Sequence, residues 1–356
     1  MKSRSLLFAL VLGACATTGA DGEGDLNLPT VGMGPFRRLD PEEVRGVAPF
    51  ILDGREELYR EPTVLREEGD GVILYAVGRQ SNGADAIVRS RSPDARSFYG
   101  TSSHAGRRPR VVLTADLPWE GNTIGGPAAI RVGAEILLYY SAAGGIGLAR
   151  SGDGFAFRKE PAPVFVRDPA LAWETTEVHA PSVYQLPDGR FRMMYAAGIS
   201  IGEAESPDGV KWTRVGTTPI LEPAPIPDPA SLLPNEKPPF DTASVGDPCV
   251  VTRTTPAGRL HVRILYTGSI ASGATTIGFA GRYGESGPLD RQPVPAYSVN
   301  QGEAAPAFVE TAQGTFLYIQ QLRREGTTQP PYLSIAGAFS PGNVKLPEPA
   351  EFPDDP

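Results

Sequence analysis

Five short proline-centred segments recur along the chain and constrain its fold more than any other feature. They are REPTVL (60–65), GGPAAI (125–130), HAPSVY (179–184), GDPCVV (246–251) and EAAPAF (303–308). Their prolines, at 62, 127, 181, 248 and 306, are separated by 65, 54, 67 and 58 residues. Proline is tolerated at the first residue of a strand, where its missing N–H need not enter the ladder. The spacing predicts five repeated units, each opening with a strand.

Short strand-like runs follow each of these opening segments. The runs are rich in β-branched and aromatic residues, as in GVILYAV (71–77), EILLYYS (135–141) and FRMMYAA (191–197). The segment 140–157 also aligns without a gap with 195–212, which indicates an internal repeat. A small four-stranded unit cannot bury both sheet faces alone, so such units stack around an axis. The sequence therefore predicts an all-β, five-bladed β-propeller with four antiparallel strands in each blade.

Three related segments, SPDARSF (92–98), SGDGFAF (151–157) and SPDGVKW (206–212), raise the question of a repeated catalytic aspartate. Pro, Asp and Gly in this order are typical of turns, where the Asp side chain accepts local backbone N–H bonds. We interpret Asp94, Asp153 and Asp208 as turn residues between the third and fourth strands, on the face opposite the opening segments. The aromatic residues four positions later are predicted to pack between blades: Phe98, Phe157 and Trp212.

The first residues indicate export. Lys2 and Arg4 precede an apolar run, 6–12, that is far shorter than the ~20 residues needed to span a bilayer. The sequence LGAC at 12–15 resembles the lipobox of bacterial lipoproteins, which implies a lipid on Cys15; an ordinary signal peptide ending near a cysteine is the alternative. We expect a signal peptide at 1–14, a flexible tether at 15–35, the propeller at 36–347 and an acidic, proline-rich tail at 348–356. The expected location is the bacterial cell envelope, with the protein lipid-anchored on a periplasmic or outer-membrane face.

The charge and the cysteine content argue against nucleic-acid partners and against stabilisation by disulfide bonds. The net charge of −8 and the lack of a basic cluster argue against nucleic-acid binding. If Cys15 carries lipid, only Cys249 remains, and no intrachain disulfide can form. No cofactor is expected and no metal ligands are assigned, and the sequence leaves open whether a metal ion occupies the channel. A monomer is expected, held to the membrane through Cys15.

The opening segments, the LY pairs of the second strands and the RSxDG turns together resemble the five-bladed propellers of the arabinanase, levansucrase and invertase group of glycosidases. The resemblance extends over residues 45–345, roughly. It implies that the opening segments converge on a central funnel that binds a carbohydrate ligand. It also implies a base or nucleophile Asp from the first blade, an Asp from the second that tunes the pKa, and an acid Glu from the third.

This sequence matches the family's acidic residues only in part. Glu61 precedes Pro62 where the family has its first Asp, the second segment offers only Gly125 and Gly126, and Asp247 precedes Pro248. In the third segment the nearest carboxylate is Glu177, four residues before the proline. The family does not usually place a catalytic acid at the position of Asp247. We predict Glu61, Asp247 and Glu177 as the catalytic residues, because glycoside hydrolysis needs two carboxyl groups with unlike pKa values. A carboxylate paired with a neighbouring arginine, Arg60 or Arg79, is the alternative for Glu61 and Asp247.

Substrate contacts are predicted around these acids. His179 and the arginines Arg60 and Arg79 lie near the opening segments, although His179 could instead hydrogen-bond a blade-edge carbonyl. Long linkers add Trp119, Trp173 and Phe240, whose rings suit the C–H faces of sugars or, alternatively, cover blade edges. We therefore expect an envelope-anchored, glycoside hydrolase-like protein that acts on or binds a glycan. The alternative is a non-catalytic propeller that binds a glycan or a protein partner.

Overall fold

The computed structural model describes residues 34–44, 50–98, 108–228, 230, 232, 237–255, 257–299, 302–324, 329–343 and 346. Cys15, the predicted signal peptide, nearly all of the predicted tether and the predicted acidic tail lie outside these residues. Regular structure in the described ranges is β-strand, apart from two single-turn 3-10 helices at Pro41–Glu43 and Pro118–Glu120. None of the described helical segments is long and apolar enough to cross a bilayer.

The strands form five sheets in chain order, as predicted. Two short strands come first, β1 (Arg37–Arg38) and β2 (Phe50–Leu52). Blade I contains β3 (Arg60–Arg66), β4 (Val72–Arg79), β5 (Asp85–Ser92) and β6 (Arg110–Thr114). Blade II contains β7 (Ile124–Val132), β8 (Glu135–Ala142), β9 (Gly145–Ser151) and β10 (Arg158–Lys159). Blade III contains β11 (His179–Gln185), β12 (Phe191–Ala197), β13 (Ser200–Ser206) and β14 (Thr213–Arg214).

The last two blades complete the ring. Blade IV contains β15 (Ser244–Thr254), β16 (Leu260–Ser269), β17 (Thr275–Tyr283) and β18 (Asp290–Arg291). Blade V contains β19 (Glu303–Glu310), β20 (Thr315–Arg323) and β21 (Tyr332–Ser340). Its outer edge is completed by β1 and β2, which both pair antiparallel with β21. The prediction of five four-stranded antiparallel blades is confirmed, with the fourth strand of blade V supplied from the N-terminal side.

Each innermost strand carries a bulge at the residue before its proline. The strand register shifts at that point in all five blades. The five residues concerned have positive φ angles, between 45° and 52°: Glu61, Gly126, Ala180, Asp247 and Ala305. Because a bulge re-aims the side chain at its position, all five X-Pro pairs turn toward the axis and line one narrow channel. The proline-centred segments therefore mark the axis of the propeller.

The Ser-x-Asp turns follow the third strands, as predicted. The Asp208 Oδ1 atom accepts the N–H groups of Val210 and Lys211, both at 2.8 Å. Asp94 and Asp153 accept the corresponding N–H groups in their own turns. These backbone hydrogen bonds hold the pKa of Asp208 below its usual range. The aspartates are turn residues, at the strand ends opposite the opening segments.

The aromatic residues after these turns pack between blades, as predicted. Each ring lies edge-on against a buried tyrosine of the preceding blade, with centroids 5.6–5.9 Å apart: Phe157 on Tyr75, Trp212 on Tyr139 and Phe98 on Tyr318. Each tyrosine hydroxyl also donates to a carbonyl of the same turn. The turn thus fastens one blade to the next as well as reversing the chain.

Candidate functional site

The main candidate site is a cavity of about 300 Å³ beside the axial channel, here called the funnel. Its lining includes four of the residues that the sequence singled out: Arg60, Glu61, His179 and Asp247. They come from blades I, III and IV, and each lies at or next to a bulge of an innermost strand. The bulges therefore bring together side chains that are up to 187 residues apart in the sequence, from Arg60 to Asp247.

Glu61 reaches across the seam between blades I and II. Its Oε2 atom accepts the N–H of Gly126 at 2.6 Å, and its Oε1 atom accepts Nε–H of Arg60 at 3.2 Å. Burial raises the pKa of Glu61, while these two donors act in the opposite direction and the nearby Asp247 carboxylate adds to the increase. The side chain still exposes 32% of its surface. Glu61 is thus a carboxyl group held in one position, open to a ligand, with a raised pKa.

Two glycines in blade II make room for this carboxylate. A Cβ atom at Gly125 would lie 2.8 Å from Glu61 Oε2, closer than real Cβ contacts allow. A Cβ at Gly126 would lie 2.5 Å from Ser141 Oγ and 3.1 Å from the Cα of Ala180. The lack of an acidic residue in the second opening segment therefore has a structural reason. The long arm of Glu61 occupies the volume that a side chain at 125 would need.

The two predicted arginines converge on one buried aspartate. Arg60 Nη2 lies 2.6 Å from Asp85 Oδ2, and Arg79 Nε lies 3.2 Å from Asp85 Oδ1. Burial acts to raise the pKa of Asp85, but the hydrogen bonds and charges of the two arginines outweigh it and the pKa is lowered. Arg60 thus contacts both Asp85 and Glu61, and the ion pair with Asp85 fixes its side chain next to Glu61. Of the two arginines, Arg60 lines the funnel, and Arg79 is not among the described residues that line it.

Asp247 has different surroundings from Glu61. No hydrogen bond or ion pair within the described part of the chain engages its carboxylate, although it lines both the axial channel and the funnel. Glu61 therefore pairs with Arg60, one of the two arginines considered as alternatives. Neither Arg60 nor Arg79 makes such a contact with Asp247; both contact Asp85 instead. An unengaged carboxylate on the axis is available to a ligand.

The structure places the side chains of His179 and Glu177, at the third blade, in different surroundings. His179 lines the funnel, and its Nδ1 atom lies 3.0 Å from the backbone carbonyl of Glu177. A carbonyl can only accept, so Nδ1 carries the proton and Nε2 of the neutral ring is left as an acceptor. The Glu177 side chain is exposed and is not among the described residues that line the funnel. A catalytic role for Glu177 stays a prediction, without geometric support.

The three aromatic residues that were predicted to stack on sugars share one packing arrangement. Trp119, Trp173 and Phe240 lie nearly parallel to tyrosines of the second strands, at centroid distances of 5.9–6.2 Å. Each is followed in sequence by a buried acid that accepts from that tyrosine hydroxyl at 2.6–2.8 Å: Glu120 to Tyr140, Glu174 to Tyr195 and Asp241 to Tyr266. A cation of the fourth strand pairs with each acid: Lys159, Arg214 and Arg291. We call this set of four residues the linker anchor.

The linker anchor was missed by sequence reasoning, although the sequence carries its signal. The aromatic–acid dipeptides Trp-Glu, Trp-Glu and Phe-Asp occur at the same point of three linkers. Recognising only the aromatic residues led to the prediction of sugar platforms. Their packing indicates that they join each linker to its blade, and a role in sugar binding remains a prediction.

Among the described residues, no group of three or more His, Cys, Asp or Glu side chains is arranged to hold a metal ion.

Comparison with known proteins gives fold relatives. No protein-family model and no curated protein sequence matches the chain. Among solved structures, a glycosyl hydrolase from Bacteroides ovatus superposes with a TM-score of 0.61 at 14% identity, covering 89% of this chain and 96% of that one. An endo-1,4-beta-xylanase from Bacteroides thetaiotaomicron gives a TM-score of 0.55 at 14% identity, covering 80% and 91%. A thermostable family-43 glycoside hydrolase gives 0.54 at 18%, covering 83% and 95%. The chain is therefore a five-bladed β-propeller with the same overall fold as these glycoside hydrolases.

Proposed function

We propose that the chain is a glycoside hydrolase-like protein that acts on a glycan in the funnel, with Glu61 as proton donor and Asp247 as the second carboxyl group of the site. The observation that carries the proposal is the convergence of these two carboxyl groups on one axis in unlike surroundings. Glycoside hydrolysis requires such a pair, because one carboxyl must hold a proton while the other stays charged.

The roles follow from the surroundings of each group. Burial raises the pKa of Glu61, which favours the protonated form that can donate to a leaving glycosidic oxygen. Asp247, unengaged by the described residues, is free to stabilise positive charge on the sugar or to activate water. His179 Nε2 can accept a sugar hydroxyl, and Arg60 stands beside Glu61 to stabilise the carboxylate left after proton donation.

Glycan binding without turnover is the second candidate. It is favoured by the ring positions of blades II and III, where Gly126 and Ala180 supply no carboxylate beside the axis. In this version Glu61 and Asp247 accept hydroxyl protons of a bound sugar and no bond is broken. The fold relatives carry names of hydrolases, including a xylanase, which makes xylan the first polysaccharide to test.

Reducing-end assays on xylan, arabinan and levan separate the two candidates when binding is followed in parallel by affinity electrophoresis. For a hydrolase, Glu61→Gln and Asp247→Asn each lower turnover about 100-fold or more while polysaccharide binding persists. Asp208→Ala is the matched control, since this turn aspartate lies on the opposite face and turnover should stay within about twofold of wild type. Binding without turnover in wild type would select the second candidate, and absence of both would contradict the proposal.

We also propose that the mature protein is anchored in the cell envelope through lipid on Cys15. The support is the LGAC sequence after a short apolar run. Mass spectrometry of the membrane fraction is expected to find a diacylglyceryl group on Cys15, and Cys15→Ser should release the protein from that fraction. An unmodified Cys15 in soluble mature protein would contradict the anchor.

A further inference from the structure

Arg60 is shared between two carboxylates of the funnel, and its donors are divided unequally between them. Its two Nη atoms lie 2.6 and 3.5 Å from the oxygens of Asp85. Only Nε is directed at Glu61, at 3.2 Å. An arginine binds a carboxylate most strongly through two parallel N–H groups, and here the Nη pair is taken by Asp85. Glu61 therefore receives a single, longer hydrogen bond from this guanidinium.

The strands of blade I place Asp85 where it can take the Nη pair. Asp85 lies directly opposite Arg79 on the neighbouring strand, and Arg60 lies opposite Val77, two residues before Arg79. Residues two apart on a strand share a face, so Asp85 and both arginines lie on one face of the blade. Asp85 is buried. Burial acts to raise its pKa, but the hydrogen bonds and charges of the two arginines outweigh it, which favours the ionised form.

A second arginine–glutamate pair in the chain shows the alternative arrangement. The Nη1 and Nη2 atoms of Arg37 each lie 2.6 Å from an oxygen of Glu43, so this glutamate receives the whole Nη pair. Burial acts to raise the pKa of Glu43, but the hydrogen bonds from Arg37 and from two backbone amides outweigh it and lower the pKa to about 2. Glu61 accepts one amide and one Nε–H, and there burial prevails and the pKa is raised. The orientation of the arginine is thus a main difference between the two glutamates.

We propose that Asp85 is a positioning residue of the funnel, which keeps the Nη pair of Arg60 away from Glu61 and so lets Glu61 hold its proton. This inference rests on the proposed role of Glu61 as proton donor. Without the charge of Asp85, Arg60 is free to turn its Nη groups onto Glu61 and to stabilise the carboxylate, in the manner of the pair between Arg37 and Glu43. A site that needs a protonated Glu61 would then lose its proton donor at neutral pH.

The other titratable groups at the funnel act separately from Asp85. Asp247 reaches the cavity from blade IV and His179 from blade III, and the charge of Asp247 acts to raise the pKa of Glu61. Within the described ranges neither residue forms a hydrogen bond or an ion pair with Arg60 or Asp85. Their influence on Glu61 should therefore be the same whether Asp85 is charged or not.

Asp85→Asn tests the proposal because it removes the charge at nearly constant volume. In the ligand-free, full-length protein we expect the pKa of Glu61 to fall by about 1–3 pH units, measured by ¹³C NMR titration of its carboxyl group and assigned with Glu61→Gln. In an Arg60→Gln background the same change should leave the pKa of Glu61 where it was, because the arginine that Asp85 positions is gone. An unchanged pKa in Asp85→Asn, or an equal fall in both backgrounds, would overturn the proposal.

A control and a wild-type measurement keep the test independent of folding. Asp241→Asn is the matched control: it removes a buried aspartate that pairs with Arg291 in blade IV, and the pKa of Glu61 should not change. In wild type, ¹⁵N NMR of Arg60, assigned with Arg60→Lys, should show the Nε resonance following the titration of Glu61 while the Nη resonances stay constant. Nη resonances that follow it as strongly as Nε would contradict the proposal.

The pH profile of turnover distinguishes a positioning role from a structural one. For a polysaccharide that wild type hydrolyses, the alkaline limb of the kcat/KM profile should move to lower pH in Asp85→Asn by the same amount as the pKa of Glu61, with activity retained on the acid side. An equal loss at every pH would mean a structural role and contradict the proposal. If wild type hydrolyses no polysaccharide, the fall in the pKa of Glu61 in Asp85→Asn still supports the positioning role, so the two failures are distinguishable.

Discussion

The carboxylates of the linker anchors and those of the axis differ in partners rather than in burial alone. Glu174 accepts from Tyr195 and from Arg214, both within 2.8 Å, and is fully buried. Glu61 accepts hydrogen bonds from one backbone amide and one arginine, and a third of its side-chain surface stays exposed. The Asp247 carboxylate has no hydrogen-bond or ion-pair partner in the described chain. Acids whose oxygens are satisfied by the protein hold the fold together. Acids with unused acceptor capacity at a cavity are the ones that can serve a ligand.

The pKa directions express the same difference. Burial acts to raise the pKa of Glu174, but the hydrogen bonds from Arg214, the Asp168 amide and Tyr195 outweigh it, and the pKa is lowered. At Glu61 burial prevails over the two donors, and the pKa is raised. Glu174 accepts from more donors than Glu61 does, and the two acids therefore have opposite protonation preferences.

The largest expected effect is on stability, from Glu174→Ala. Removing this carboxylate leaves Arg214 and the Tyr195 hydroxyl without their partner, and breaking a buried ion pair costs about 3–5 kcal/mol. We expect the lower end, since Arg214 keeps a fifth of its surface exposed. Urea unfolding is the measurement. The control is Glu285→Ala, whose pair with Arg190 is about two-fifths exposed and should contribute at most about 1 kcal/mol. Equal losses in the two variants would contradict the structural role assigned to Glu174.

An intermediate effect is expected for Asp208→Ala. Its side chain accepts two backbone amides of the turn, and losing comparable capping bonds costs about 0.5–2 kcal/mol. The free energy of unfolding should fall by this amount, while ligand affinity in the funnel is retained. Loss of ligand binding in Asp208→Ala would show that the turn face is energetically coupled to the funnel.

The smallest effect is a change in the pH dependence of stability. Glu61 has a raised pKa, so its contribution is complete below the unfolded value near 4.5 and is lost as pH rises through the folded value. The thermal midpoint of wild type minus that of Glu61→Gln should therefore decrease from pH 4 to pH 8. The pKa of Glu120 is lowered, because hydrogen bonds from Lys159 and Tyr140 outweigh burial. For Glu120→Gln the same difference should increase from pH 3 to pH 6, and the same sign in both variants would contradict the assignment.

Sequence reasoning succeeded where one residue type is required by backbone geometry. Pro62 and its four counterparts fixed the innermost strands, and the Ser-x-Asp turns fixed the third strands, because few residues satisfy those conformations. Glu61 and Asp247 could be placed on the axis for the same reason. The structure brings both to the funnel, together with Arg60 and His179.

The rest depended on information that spacing does not carry. The closing strand of blade V comprises only Arg37–Arg38 and Phe50–Leu52, too short for a recognisable alternation. Whether the Glu177 side chain or its carbonyl faces His179 is decided by local backbone geometry.

Closure of the ring by residues before Asp53 has a consequence for self-association. β21 spans nine residues, and its outer edge is covered by β1 and β2 alone among the described strands. A chain shortened past Leu52 would present that edge as unpaired N–H and C=O groups, which readily accept a strand from another molecule. The same segment, donated by one molecule to the blade V of a second, would give a strand-exchanged dimer with all five blades complete.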